Sequence, residues 1–257
     1  MPPGLPDVAP HEPEETMSWL DGRVIFITGG ASGLGREIAL QSAKLGAKVS
    51  ITDTHDARLE ATRADVAEIA GDCLAVKSDV TNEAEVASAV GAIVEKWGQL
   101  DTVVNSAGVY YYGPLVDTPI AELDRVYNVN VRGLYIVCRE AARVMLPKKS
   151  GHIINIASIA AERGIAGESV YSSSKWAVRG LGACLAVELG PDGIRVTTVF
   201  PGGMNTTFWE TEPRMLSGEW DGSQMLRGED VAQAVVNIAS LPPGVVVKEA
   251  LVYSPGR

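Results

Sequence analysis

One stretch constrains the fold of this chain more than any other: Thr28-Gly-Gly-Ala-Ser-Gly-Leu-Gly35. It lies between an apolar β-branched run, Val24-Ile-Phe-Ile27, and a segment with helical apolar spacing at Leu34, Ile38, Leu40, Ala43 and Leu45. A glycine-rich turn between a strand and a helix lets the backbone turn tightly and leaves room for a pyrophosphate. The helix N-terminus then supplies unpaired N–H groups and a partial positive charge. Ordinary surface turns are glycine-rich too, so the turn is read together with the next strand. That strand, Gly46-Ala-Lys-Val-Ser-Ile-Thr-Asp53, ends in an acid 18 residues beyond Gly35. A carboxylate at that separation is placed to meet the hydroxyls of an adenosine ribose. Glycine turn, helix, strand and terminal acid together predict a βαβ dinucleotide site.

The alternation continues along the chain. Strands are predicted near 23–28, 47–52, 73–78, 100–105, 151–157, 193–200 and 245–253, and helices near 33–45, 56–70, 82–97, 119–146, 169–189 and 229–240. Such alternation predicts an α/β fold, a doubly wound parallel sheet covered by helices on both faces. The runs Leu100-Asp-Thr-Val-Val104 and His152-Ile-Ile-Asn-Ile-Ala157 are nearly continuous in apolar character, as strands buried on both sides are. With 257 residues the chain fits one large domain. A core of that size needs no disulfide or metal staple. Cys73, Cys138 and Cys184 are odd in number and widely spaced, so reduced thiols and a cytoplasmic location are expected. His11, His55 and His152 share no ligand spacing, and no metal site is expected. A formal charge of −10 argues against nucleic acid or an anionic membrane as partner. Residues 1–18 read as a disordered acidic tail, with five prolines in the first 13 positions, and the folded domain as 19–257.

In sheets of this kind, ligands bind beyond the carboxyl ends of the strands. Those ends carry the glycine turn, Asp53, Ser78-Asp79-Val80, Asn105-Ser-Ala-Gly108, Ala157-Ser158 and Pro201-Gly202. Asp79 has two readings, a cap of the following helix or an acceptor for an adenine amino group. Asn105 also has two, and a buried amide tying strands together is favoured over a direct catalytic role. Tyr171 and Lys175 are four apart on a predicted helix and share a face. A nearby ammonium favours the phenolate, which would make Tyr171 a general acid/base near neutral pH. Ser158, just past the fifth strand, is placed to hold a substrate oxygen, or else to cap a turn. Asn130 sits inside a predicted helix, where Asn is a poor interior residue, and signals a kink or a polar network.

With these residues assembled, the chain resembles the short-chain dehydrogenase/reductase family. The matching motifs are Thr28-Gly29…Gly33-Leu-Gly35, Asn105-Ser-Ala-Gly108, the tetrad Asn130, Ser158, Tyr171 and Lys175, and Pro201-Gly202 with Thr206; the resemblance spans residues 20–253. It implies a single Rossmann domain with a seven-stranded parallel sheet and a helical substrate lid, at about 203–226. It implies an NAD(P)-dependent oxidoreductase in which Tyr171 exchanges the proton, Lys175 holds the nicotinamide ribose, Ser158 orients the substrate and Asn130 anchors a relay water. The cofactor-binding set is Gly29, Ser32, Gly33, Leu34, Gly35, Asp53, Asp79, Val80, Asn105, Ala107, Gly108, Tyr171, Lys175, Pro201, Gly202, Met204 and Thr206. Ser158, Tyr110, Tyr111, Phe208 and Trp209 are expected to meet an apolar alcohol or ketone substrate, with Met204, Met215, Leu216, Trp220 and Met225 also on the lid and Tyr110, Tyr111 and Tyr112 forming the opposite wall. NAD is expected over NADP, because Asp53 would repel a 2′-phosphate and the flanking Ser32 and Thr54 cannot neutralise one. Two departures stand out. Ser106 replaces an asparagine of the family motif, and the ending Val247…Arg257 differs from that of tetrameric members. A homodimer or homotetramer is expected. The alternatives are an NADP(H)-dependent carbonyl reductase and a non-enzymatic dinucleotide sensor.

Overall fold

A computed structural model of the chain describes residues 19–206, 208 and 225–255. In chain order the strands are β1 (Val24–Thr28), β2 (Lys48–Asp53), β3 (Cys73–Lys77), β4 (Thr102–Asn105), β5 (Gly151–Ile156), β6 (Ile194–Pro201), β7 (Met204–Asn205), β8 (Leu226–Arg227) and β9 (Glu249–Val252). The main sheet has seven strands in the order β3-β2-β1-β4-β5-β6-β9. Every neighbouring pair in it is parallel. The strand order reverses between β1 and β4, so a crevice opens there at the carboxyl ends.

The helices are α1 (Gly33–Lys44), α2 (Asp56–Ala70), α3 (Glu83–Trp97), α4 (Ile120–Tyr127), α5 (Leu134–Met145), α6 (Ser169–Leu189) and α7 (Gly228–Ala239). They cover the sheet on both faces. β1 shows how: its five residues are all buried, Ile25 and Ile27 in one core and Val24 and Phe26 in the other. The first core packs α1, α2 and α7 through Ile38, Val66 and Val235; the second packs α3, α5 and α6 through Ile93, Val137 and Val178. Two-sided burial is the reason these strands read as unbroken apolar runs rather than alternating ones.

The predicted helix over 119–146 is not one helix. α4 gives way to a π-helical segment, Asn128–Gly133, before α5 begins, and a 3₁₀ turn at Leu146–Lys148 ends the run. The side chain of Asn130 explains the widening. Its Oδ1 accepts from the Val109 N–H at 2.8 Å and its Nδ2 donates to the Val109 carbonyl at 2.9 Å. An amide clipped to a neighbouring loop on both sides holds the helix out of its regular ladder. Gly133 lets this segment lie against Val80: a Cβ there would be 2.7 Å from Cγ2 of Val80. The last strand is also shorter than its predicted span of 245–253. Residues 242–245 form a turn, with the Val245 N–H donating to the Pro242 carbonyl at 2.9 Å, and pairing starts only at Glu249. The short parallel pair of β7 and β8 was not expected; it joins the two ends of the segment predicted as a lid. The expected tail at 1–18, and Trp209, Met215, Leu216 and Trp220, lie outside the described residues.

His152 sits in β5, 1% exposed, with Nε2 2.8 Å from Oγ1 of Thr197. Burial, with help from Arg195, pushes its pKa down from 6.5 to about 3. The folded protein therefore keeps this imidazole neutral, while the unfolded chain takes up a proton as pH falls past 6.5. Stability is expected to drop as pH falls from 6.5 towards 3, and the drop should be shallower in His152→Gln. Urea unfolding of both proteins at pH values across that window checks this.

Candidate active site

A cleft of about 1380 Å³ runs across the carboxyl ends of the central strands. At one end the glycine turn forms its floor. Gly29 has φ +65°, and a Cβ there would stand 2.9 Å from the Cα of Ala107. The absent side chain lets the turn lie directly against the end of β4, where Oγ1 of Thr28 accepts from the Ala107 N–H at 3.1 Å. At Gly35 a Cβ would fall 2.2 Å from the carbonyl oxygen of Gly29, so the first turn of α1 closes on the loop backbone itself. Ser32 is the N-cap of α1, yet its side chain makes no capping bond, and no acid stands in the first turn. The helix thus presents its N–H groups and positive end to the cleft, as an anion would require.

Asp53 stands beside this turn. Its Oδ2 accepts from the Ala31 N–H at 3.3 Å and its Oδ1 from the His55 N–H at 3.1 Å. These bonds fix the carboxylate where β2 meets the cleft. Oδ1 of Asp79 accepts from both the backbone N–H and the hydroxyl of Thr81, each at 2.8 Å. Asn82, not Asp79, is the N-cap of α3. Of the two readings of Asp79, its protein bonds are those of a turn-forming residue, though it also lines the cleft. Asn105 lies behind the wall, 3% exposed, donating to Oδ1 of Asn155 at 2.9 Å and to Sγ of Cys138 at 3.3 Å. It ties β4 to β5 and α5, which is the favoured one of its two readings.

The chemistry-bearing side chains gather where α6 begins. Tyr171 and Lys175 are both buried, and both line the cleft. Ser158 shares a hydrogen bond with the Tyr171 phenol, and its Oγ also accepts from the Ala160 N–H at 3.1 Å. The Lys175 ammonium lies 5.7 Å from the centre of the Tyr171 ring and donates to the Ile156 carbonyl at 2.9 Å. The expected lowering of the phenol pKa by Lys175 is not what the protein groups produce. Burial drives the Tyr171 pKa well above its usual value, Glu168 adds to the rise, and the Ser158 hydrogen bond opposes it. Burial also pushes Lys175 down to about 8. Both groups are thus biased towards their neutral forms, and a further positive charge in the cleft would reverse that bias for the phenol.

Asn130 is close by but faces the inside of the wall. Besides Val109, its Nδ2 donates to Oγ of Ser174 at 3.1 Å. Both amide hydrogens are taken, so its side chain has no donor left for a water. Tyr110 stands edge-on to Tyr171 with ring centres 4.9 Å apart, and Phe208 lies 6.1 Å from Tyr110 and 6.3 Å from Tyr171. Tyr111, Tyr112, Met204 and Thr206 line the same cleft, together with Leu34, Val80, Gly108, Pro201 and Gly202. Sequence reasoning missed Ile159, Ile165 and Glu168 on this wall. They lie in the loop between β5 and α6, which has no periodicity from which a facing side could be read.

Residues 23–216, which carry the glycine turn, the tetrad and most of the cleft wall, match the short chain dehydrogenase family. The chain belongs to that family. It is similar to (+)-borneol dehydrogenase 2 of Salvia officinalis, 40% identical over 252 residues that cover 90% of this chain and 87% of that protein. Among solved structures it is similar to a 3-ketoacyl-(acyl-carrier-protein) reductase from Brucella melitensis complexed with NADH, with a TM-score of 0.83 and 30% identity over 92% of this chain and 98% of that one. It is also similar to ElxO with NADP bound, with a TM-score of 0.82 and 27% identity over 91% and 98% of the two chains. As a short chain dehydrogenase the protein is an NAD(P)-dependent alcohol dehydrogenase/ketone reductase. No helix among the described residues is long and apolar enough to cross a membrane.

Proposed function

We propose that this short chain dehydrogenase prefers NAD and interconverts a secondary alcohol and a ketone on a largely apolar substrate. The observation that carries the reading is the placing of Tyr171 and Ser158 together on the cleft wall, with the rings of Tyr110 and Phe208 beside the phenol. Two polar groups that can grip one oxygen, walled by aromatic rings, suit an apolar molecule with a single reactive carbonyl or hydroxyl.

The residues present fit a dinucleotide. The tight backbone approach at Gly29 and Gly35 and the uncapped start of α1 suit a pyrophosphate, and the fixed carboxylate of Asp53 suits a ribose diol. When bound, the nicotinamide supplies the hydride acceptor or donor. Lys175 would hold the adjoining ribose, and a further positive charge brought into the cleft would favour the phenolate of Tyr171. In oxidation, Tyr171 takes the hydroxyl proton while Ser158 holds the same oxygen; in reduction Tyr171 returns it. With the Asn130 amide hydrogens already engaged, a relay water would rest on backbone carbonyls of the widened turn at Asn128–Gly133. Exposed Tyr135, Trp176 and Val187 on α5 and α6 give an apolar surface suited to a homodimer or homotetramer.

Steady-state kinetics with both cofactors and a panel of secondary alcohols test the reading. NAD is expected to exceed NADP in kcat/KM by about a hundredfold, since a 2′-phosphate at Asp53 brings like charges together at a cost of a few kcal/mol. Asp53→Ala should narrow the gap by about tenfold or more, because Arg58 lines the same cleft and can then face the phosphate. Aryl or alicyclic alcohols should surpass small hydrophilic ones. A higher kcat/KM with NADP, or with small polar alcohols, sinks the corresponding half of the proposal.

A further inference from the structure

A buried acid stands beside this site without a part in the proton transfer. Glu168 is 4% exposed, lies three residues before Tyr171 at the N-cap of α6, and lines the cleft. A carboxylate taken from water must be hydrogen-bonded to be tolerated. The Tyr110 hydroxyl donates to its Oε1 at 2.8 Å. That same Tyr110 presents its ring edge-on to Tyr171.

The loops carrying these two residues are fastened at further points. The Gly113 N–H donates to the Gly167 carbonyl at 2.8 Å. The ring of Tyr112 covers Gly167, where a Cβ would come within 2.2 Å of it. Gly167 has φ +79°, a conformation that other residues rarely adopt, so glycine serves both the turn and the ring contact. From outside, Arg125 donates to the Tyr110 carbonyl at 2.9 Å and pairs with Glu122. The wall next to Tyr171 is thus a clasp between two loops, and its buried hydrogen bond ends on Glu168.

We propose that Glu168 is a positioning and specificity-determining residue. It fixes the Tyr110 ring that walls the substrate, and its negative charge turns away substrates bearing a carboxylate while admitting neutral ones. The proposal rests on the alcohol–ketone reading of the site. Tyr171 is faced by Lys175 from its own helix, by Ser158 from the segment after β5, by Tyr110 from the loop after β4 and by Phe208; Arg163 lines the cleft from the same loop as Ser158. Glu168 acts to keep the phenol protonated, while Glu122, which also lines the cleft, is paired with Arg125.

Two variants separate the two parts of the proposal. Glu168→Gln keeps size and a hydrogen-bond acceptor but removes the charge. Tyr110→Phe keeps the ring but removes the bond. Both are compared with the unaltered enzyme on a neutral ketone and a carboxylate-bearing ketone of similar size. The pH dependence of alcohol oxidation is recorded for each, and NADH binding is followed by fluorescence. The unaltered enzyme is expected to favour the neutral ketone by about tenfold or more, and Glu168→Gln to erase most of that preference. Glu168→Gln should also shift the pH of half-maximal oxidation down by about half a unit to one unit, as loss of a nearby like charge does for an acid. Tyr110→Phe should raise KM more than it lowers kcat and leave the pH profile in place. NADH binding should stay unchanged throughout. Superimposable pH profiles and preferences for Glu168→Gln and the unaltered enzyme overturn the proposal. If Glu168→Gln does not fold, an unchanged KM in Tyr110→Phe, or equal use of both ketones by the unaltered enzyme, overturns it. An unaltered enzyme that binds NADH but oxidises no alcohol and reduces no ketone refutes the reading of the site itself, and the proposal falls with it.

Discussion

Tyr171→Phe is expected to lower kcat by about a thousandfold, the loss that accompanies removal of a positioned proton-transfer group. The reason is local. Tyr171 is the phenol that shares a hydrogen bond with Ser158 and stands one turn from Lys175, whose ammonium is 5.7 Å from its ring. Phenylalanine keeps the ring contact with Tyr110, so the pocket keeps its shape while the proton route is cut. A thousandfold is about 4 kcal/mol of transition-state stabilisation. Cofactor affinity should change little, because the proposed ribose contact is assigned to Lys175. Single-turnover measurements with NADH fluorescence as the binding readout separate the two effects. A variant that keeps more than a few per cent of its activity would show that the proton travels by another group.

Gly35→Ala is expected to be nearly as damaging, through the backbone rather than the chemistry. The new methyl would sit 2.2 Å from the carbonyl oxygen of Gly29, and backbone cannot swing aside as a flexible side chain can. Either α1 moves away from the turn or the turn opens, and both disturb the helix N-terminus that faces the cleft. We expect dinucleotide affinity to fall by about a hundredfold, and stability by about 2 kcal/mol, as overpacking of a tight site does. Gly91→Ala is the matched control. Gly91 lies inside α3 with nothing within 4 Å of an added Cβ. The same substitution there should stabilise by up to about 1 kcal/mol, since alanine is the better helix former. Thermal unfolding of the two variants should shift in opposite directions, and only Gly35→Ala should weaken the NADH titration. Equal behaviour would mean that the closeness of Gly35 to Gly29 has no energetic consequence.

How much of the fold and site is legible in the sequence depends on whether the signal is local. The six predicted helices and seven predicted strands mark periodic segments, and their positions differ from the observed ones by a residue or two at most ends. The exceptions have tertiary causes. The break at Asn128–Gly133 depends on the Asn130 amide meeting Val109 from another loop. Asn is a poor helix former wherever it sits, so the sequence marks the spot but not the geometry. Glu168 reads as one more charged loop residue; burial against Tyr110 is what distinguishes it.

By itself, the sequence determined the βαβ site, the parallel sheet and the residue types that can move a proton. Backbone conformation, apolar periodicity and functional groups are written residue by residue, so they are local properties of the chain. Only the tertiary structure decided which groups share a solvent-poor space. It put Asn105 behind the cleft, bonded to Asn155 and Cys138, and placed Asp79 in a turn with Thr81. It also reversed the expected bias on the Tyr171 phenol. Desolvation depends on every atom packed around a group, and those atoms come from β4, β5, α6 and the loops between them, segments far apart along the chain.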